Sequence, residues 1–367
     1  MRKKGLVFAE FPSPYRVKVM EELAKEYNLT VFFNSENEER NPNYVIKNST
    51  INYYLLDNNN GKKEFIKCCK KLNYFDFVLN YNIGIFNGVR IMWACIVNNV
   101  PCFVNSDGQF INNKNILKSL IKKFLISRAA LCFGSGESSK RYFLTYGAKE
   151  ENIRCHHFTS LEDEDILKGI LSEDEKINLK KQMNLINKKI VLTVGRFIPS
   201  KGFDVLLEAW KHVKRDYQLL IIGGGSLEQS YMDYINENKL ENIKIIDYKP
   251  KKDLFNYYKA SDLFVLPTRW DVWGLVINEA MACGLPIVTT NMCIAGLELI
   301  ENGVNGYIIP VDDQEALANK INMILQNGEL AKAMSINNVN KIQGYTMANM
   351  GKKNIKDIND YFLINKG

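Results

Sequence analysis

Three stretches in the second half of the chain carry residue types suited to an anionic, hydroxyl-rich ligand. In VGRFIPSKGFDVLLEAW (194–210) an apolar run ends at Gly195, Arg196 follows, and Lys201 comes just before a helical pattern opens near Gly202. Arginine forks onto two phosphate oxygens and lysine acts as a point charge, so one loop would offer both. A solvated lysine and an arginine paired with a neighbouring acid would read the same way. GGGS (223–226) repeats the order of apolar run, glycines and helix. Gly223 and Gly224 let a ligand approach the backbone, and the following helix N-terminus favours an anion. The full GxGxxG pattern is absent, because Ser226, Leu227 and Glu228 follow Gly225, and a tight turn explains the glycines equally well. The most specific stretch is PTRWDVWGLVINEAMACGLPIVTT (267–290), with Asp271 in a loop and Glu279 inside a helix that starts near Gly274 or Leu275. A carboxylate inside such a helix is costly to bury unless bonded, and ligand hydroxyls would satisfy it. Backbone N–H groups of Val272, Trp273, Gly274 and Leu275 would face an anion at the helix N-terminus.

The first half offers three loops of the same kind. FPSPYR (11–16) places Pro14, Tyr15 and Arg16 after an apolar run and at the start of a helix. NSDG (105–108) contributes Asp107 and Gly108, and GSGESS (134–139) contributes Glu137. Each has a plain alternative: proline at a helix start, an Asp-Gly turn, and helix capping.

Loops of this type need a scaffold, and the pattern supplies one. Apolar runs at 5–11, 29–33, 76–81, 101–106 and 130–135 alternate with helical-period segments near 15–27, 62–72, 86–98, 114–128 and 137–146. The second half repeats the alternation, with runs at 190–195, 218–224, 243–247, 263–268 and 286–290. Continuous apolar strands separated by helices imply parallel sheets covered on both faces. Ligands of doubly wound sheets lie at the carboxyl ends of the strands. The expected architecture is α/β, with two Rossmann-like domains facing a cleft. Expected boundaries are 1–165 for the first domain, 166–187 for an acidic connection, 188–344 for the second domain, and 345–367 for a helix packing back on the first.

Composition narrows the chemistry. The 367 residues include only three histidines, His156, His157 and His212, so a multi-histidine metal site is not expected. His156 and His157, adjacent on a strand, point to opposite faces. The eight cysteines show no CxxC pair and read as buried thiols in a reducing compartment. No apolar stretch is long enough for a membrane span, and a cytoplasmic protein is expected. The net charge of +7 is local: residues 111–149 hold eight basic residues and one acid.

On the motifs Gly195-Arg196, Lys201-Gly202 and Asp271 to Glu279 leading into Ala280-Met281-Ala282-Cys283-Gly284, residues 188–330 resemble the donor domain of glycosyltransferase family 4, the retaining GT-B enzymes. The resemblance implies that Arg196 and Lys201 bind the donor diphosphate, Glu279 the ribose hydroxyls, and Asp271 the transferred sugar, with the base near Tyr248. It implies that Asp107 orients or deprotonates the acceptor hydroxyl. The family has Glu where Asp271 stands, one methylene longer. The activity implied is metal-independent transfer of a hexose from a nucleotide sugar, UDP-linked by expectation, with no cofactor. The acceptor implied is a glycan or polyprenyl-linked intermediate of a surface polysaccharide. Rival expectations are a non-catalytic sugar-nucleotide-binding partner and a GT-B epimerase.

KNILKSLIKKFLISR (114–128) reads as an amphipathic helix with the stripe Leu117, Leu120, Ile121, Phe124 and Leu125 and a basic flank of Lys114, Lys118 and Lys122, with Lys123 beyond. A doubly wound fold needs that stripe for its sheet, whereas the basic flank suits peripheral contact with an anionic membrane. No nucleic-acid motif is found, and no nucleic-acid partner is expected.

Overall fold

The computed structural model describes residues 2–36, 51–111 and 115–365. Most of the Asn-rich stretch 34–60, and Lys114 of the basic helix, lie outside the described residues. The chain forms two compact units, Met1–Ser160 with Tyr345–Gly367, and Leu161–Gly344.

The first unit runs β1 (Lys4–Ala9), α1 (Pro14–Glu26), β2 (Asn28–Phe33), β3 (Asn52–Leu55), α2 (Asn59–Lys70), β4 (Phe77–Asn80), α3 (Phe86–Asn98), β5 (Cys102–Ser106), α4 (Ile116–Ile126), β6 (Leu131–Gly134), α5 (Glu137–Thr145) and β7 (Ile153–Cys155). Among the described residues the strands form one sheet in the order β3-β2-β1-β4-β5-β6-β7, every pairing parallel. Alternation sends Leu6, Phe8, Val78, Cys102, Val104 and Cys132 into one core. Phe77, Phe103 and Phe133, also buried, stand at the alternate positions and therefore face the opposite side.

The second unit runs α6 (Glu173–Gln182), β8 (Ile190–Arg196), α7 (Phe203–Trp210), β9 (Gln218–Gly224), α8 (Glu228–Glu237), β10 (Ile243–Ile246), α9 (Lys251–Ala260), β11 (Leu263–Leu266), α10 (Leu275–Ala282), β12 (Ile287–Thr290), α11 (Ile294–Leu299), β13 (Gly306–Ile309), α12 (Gln314–Gln326) and α13 (Gly328–Ile342). Its parallel sheet has the order β10-β9-β8-β11-β12-β13. The last helix, α14 (Met347–Ile364), returns to the first unit. There the Tyr27 hydroxyl donates to Asn359 Oδ1 at 2.9 Å, and Tyr361 packs edge-on against Phe103 at 5.2 Å.

Three strands escaped the sequence pattern. β3, β7 and β13 are edge strands, with only one flank paired, so they need no continuous apolar run. The stretch 166–187, expected to be a connection, instead holds α6 and belongs to the second unit. Lys176 and Lys180 each reach Asp262 at 3.0 Å, and Asp262 also accepts the Ile190 N–H at 2.9 Å. Its acidic start is the α6 cap: Ser172 and Glu175 bond reciprocally as a capping box.

In both sheets the strand order reverses once, between β1 and β4 and between β8 and β11. The carboxyl ends at such reversals are where these folds bind ligands.

Candidate functional site

In the second unit the reversal is flanked by the loops after β8 and β11. Pro199–Lys201 forms a short 3-10 turn, and Gly202 follows with φ 66°. A Cβ on Gly202 would stand 2.1 Å from the Pro267 carbonyl oxygen, so the turn is pressed against the second loop where only glycine fits. Ser200 O accepts from Thr268 Oγ1 at 2.7 Å and from the Arg269 N–H at 2.8 Å. Arg269 then clamps both Asp204 oxygens, at 2.9 and 2.6 Å, and Asp312 at 2.6 Å.

These braces bring Lys201 to Asp271, Nζ to Oδ2 at 2.5 Å, with both side chains largely buried. The other Asp271 oxygen accepts the Trp273 N–H at 3.3 Å, so that donor of the expected Val272–Leu275 set is occupied. Trp273 is buried, its indole donating to Asn278 Oδ1 at 2.8 Å, while Val272 is exposed. Gly274 caps α10 at φ 96°, and its carbonyl accepts the Ile277 N–H at 2.9 Å, which leaves the N–H groups of Leu275 and Val276 at the open end of the helix. Glu279 accepts the Tyr258 hydroxyl at 2.9 Å, and burial with the Glu279 charge pushes the Tyr258 phenol up. Nothing in the pattern of residues points to Tyr258 as this partner.

Arg196 ends β8 with its side chain exposed, and among the described residues no acid pairs with it. Gly195 is its neighbour on the strand. Gly223 and Gly224 end β9, where a Cβ on Gly223 would lie 1.9 Å from Gly195 O. Close strand packing therefore accounts for Gly223. Tyr248 follows β10, an edge strand two positions from β8, and is 71% exposed. The structure does not join it to the other predicted residues by any hydrogen bond.

In the first unit the reversal gathers Tyr15 and Arg16 after β1, Tyr81 after β4, and Asp107 after β5. Arg16 Nη2 donates to Asp107 Oδ2 at 2.7 Å, and the Tyr15 hydroxyl donates to the same oxygen at 3.1 Å. Pro14 stands at the first position of α1, and Gly108 takes φ 136° beside Asp107. Burial works against the Arg16 charge, but Tyr15 and Asp107 outweigh it and raise its pKa. Glu137 opens α5, pairs with Arg141 at 3.4 Å, and is not part of this group.

Around Arg16 the side chains of Tyr81, Asn105, His156 and Asn354 line a cavity of about 10 Å³, close to the space of one water. Arg16 Nε, the Tyr81 hydroxyl, Asn105 Oδ1, both His156 ring nitrogens and Asn354 Oδ1 are buried there without a well-formed hydrogen bond. A small polar molecule or ligand hydroxyl would satisfy such groups. Burial lowers the His156 pKa to about 4, so the ring is neutral beside the Arg16 charge. His156 and His157 lie just past β7 rather than on a strand, and His157 is exposed and stacks on Tyr345 at 4.0 Å. Tyr81 and Asn105 adjoin recognised strand ends, but nothing in the sequence ties His156 or Asn354 to Arg16.

Residues 175–341 match the family "Glycosyl transferases group 1". The match lies within the second unit and spans less than half of the chain. Among curated relatives, the amylovoran biosynthesis glycosyltransferase AmsK of Erwinia amylovora is 35% identical over 168 residues, 43% of this chain and 40% of the relative. The capsular polysaccharide biosynthesis glycosyltransferase CapM of Staphylococcus aureus is 28% identical over 230 residues, 61% of this chain and 60% of the relative. The chain thus spans about half the length of these relatives. The crystal structure of Anabaena HepE in complex with UDP and glucose covers 98% of this chain and 100% of its own, with TM-score 0.77 and 19% identity. The fold is GT-B, two Rossmann-like domains.

Proposed function

We propose that this chain is a retaining glycosyltransferase. It moves a hexose from a nucleotide diphosphate sugar, UDP-linked in the reading we favour, to a hydroxyl of a lipid-linked or surface-glycan acceptor in polysaccharide biosynthesis. The observation that carries the reading is Lys201 held by Asp271 across the strand reversal of the second sheet, beside the N-termini of α7 and α10. The names of AmsK and CapM support a polysaccharide setting, and the UDP and glucose in HepE support the donor class.

In this reading the donor diphosphate takes Lys201 and the exposed Arg196 as its cations. Charge gathers on the departing diphosphate as the glycosidic bond breaks, and fixed cations with helix N-termini stabilise it without a metal. Attack on the same face lets the departing phosphate oxygen take the proton of the acceptor hydroxyl. Glu279 would bind the ribose, Asp271 the sugar hydroxyls, and Asp107 would orient the acceptor. A second reading, a sugar-nucleotide-binding partner without turnover, is favoured by one fact: Asp271 is already committed to Lys201 and to Trp273.

Thermal-shift screening of the full chain against UDP-, GDP- and ADP-sugars identifies the donor, since a ligand that binds only the native state raises Tm. UDP release then separates the two readings. Wild type should release UDP, and Arg196→Ala or Lys201→Ala should lower the rate about 100-fold or more, the scale of one lost electrostatic stabiliser. Binding without release, with or without acceptor glycans, would establish the partner reading.

A further inference from the structure

We propose that the outer face of α3 and α4 is a docking surface for an anionic lipid bilayer. The α4 stripe expected to cover the sheet mostly does not do so. Only Leu125 and Ile126 are buried, while Ile116, Leu117, Leu120, Ile121 and Phe124 are 76, 69, 57, 42 and 37% exposed. The neighbouring helix adds a second apolar row, Phe86, Trp93 and Val97, exposed by 78, 53 and 69%. Helical spacing puts these three residues and Arg90 on one face of α3. The Trp93 and Phe124 rings stack at 5.6 Å, so the two rows join into one patch. Large contiguous apolar patches on a soluble domain mark contact sites, whereas single exposed residues do not.

Charge selects the occupant. Arg90, Lys118, Lys123 and Arg128 are exposed around the patch, and the Arg128 guanidinium lies 3.7 Å over the Phe124 ring. Between residues 82 and 129 the only acid is Asp107, which is bonded to Arg16. Lys122, expected on the basic flank, turns inward instead to the Tyr142 and Tyr146 rings at 5.6 and 5.5 Å, where burial lowers its pKa. An apolar face whose two helices carry exposed cations and no acid matches the boundary between anionic headgroups and acyl chains. A second copy would bring the same cations face to face in a twofold contact, which disfavours it. Among the described residues no helix is long and apolar enough to cross a membrane, so the contact would be on the surface of the bilayer.

The surface goes beyond the transferase reading and is tested without any sugar nucleotide. The full chain is sedimented with vesicles of phosphatidylcholine alone and with vesicles containing phosphatidylglycerol. Binding is expected only to the anionic vesicles, weakening with salt, with a blue shift of Trp93 emission that a Trp93→Phe variant lacks. Lys118→Glu with Lys123→Glu should weaken binding about tenfold or more, each basic residue near such a surface contributing about fivefold. Leu117→Ser with Leu120→Ser should weaken it comparably, with unfolding temperature unchanged because these side chains are exposed. If the apolar pair lowers stability, the lysine pair carries the test alone. Wild type remaining in the supernatant, or variants that bind equally, would overturn the proposal. So would a concentration-dependent dimer that the same substitutions abolish.

Discussion

Asp271 and Lys201 pair at 2.5 Å in a largely buried setting, so in the proposed reading a donor diphosphate competes with a carboxylate for the same ammonium. Asp271→Asn removes that competitor. In the proposed reading UDP affinity, read by calorimetry, should rise about threefold to tenfold from the lost repulsion, while UDP release from the sugar donor should fall with loss of the proposed sugar contact. Weaker UDP binding in this variant would mean that Lys201 does not meet the phosphates. The motifs around this pair were legible because each keeps its glycines and charges within a single strand-to-helix connection. The pairing of Asp271 with Lys201 was not, since it depends on the Thr268 and Arg269 bonds to Ser200. His156 makes a separate prediction. Its ring is held at about 4 in the fold, against about 6.5 when unfolded. A base with a lowered folded pKa charges on unfolding, so its contribution is complete above 6.5 and lost as pH falls from there to 4. Urea unfolding of wild type should lose about 3 kcal/mol from this source over that window. A His156→Gln variant should lose that slope; an unchanged slope would place the acid sensitivity elsewhere.

At the scale of elements, α6 shows why 166–187 looked like a connection. The sequence there is charged and lacks an apolar face, because this helix is fixed by ions as well as by packing. Lys176 and Lys180 converge on Asp262, with the Lys180 and Asp262 side chains only 6% and 12% exposed. Burial raises the pKa of such a carboxylate, but the two lysines and the Ile190 N–H outweigh it and hold the group low. Asp262→Ala would leave both ammoniums without their acid and should cost about 3–5 kcal/mol of stability by urea unfolding. A loss below 1 kcal/mol would show that the lysines find water instead. Helix α4 is the complementary case. Its period was plain, but period alone assigns a stripe to no particular partner, and the structure leaves most of that stripe outward. The central strands were legible because burial on both faces demands continuous apolar runs. The edge strands β3, β7 and β13 were not, because pairing on one flank relaxes that demand.

At the scale of the whole molecule, the +7 charge is concentrated in one stretch of the first unit. Eight bases against one acid fall in residues 111–149, the stretch that includes α4. The division into two units was visible as two series of strands. The return of α14 to the first unit, expected from the sequence, is made along α1 and the sheet, with contacts such as Tyr27 to Asn359 and Phe103 to Tyr361. That return governs how the protein is made. Phe77 and Phe103, on the sheet face that α14 covers, leave the ribosome more than 200 residues before Tyr361 and Phe362 arrive. At about 5–20 residues per second this is a wait of roughly 10–50 seconds. During it the second unit can complete itself while the first stays unfinished. A chain stopped after Gly344 should therefore appear in the insoluble fraction, and a separately synthesised 345–367 peptide should restore solubility; a soluble, monomeric truncation would contradict this. Of the two units, the first enters synthesis earlier and, by this argument, finishes folding later.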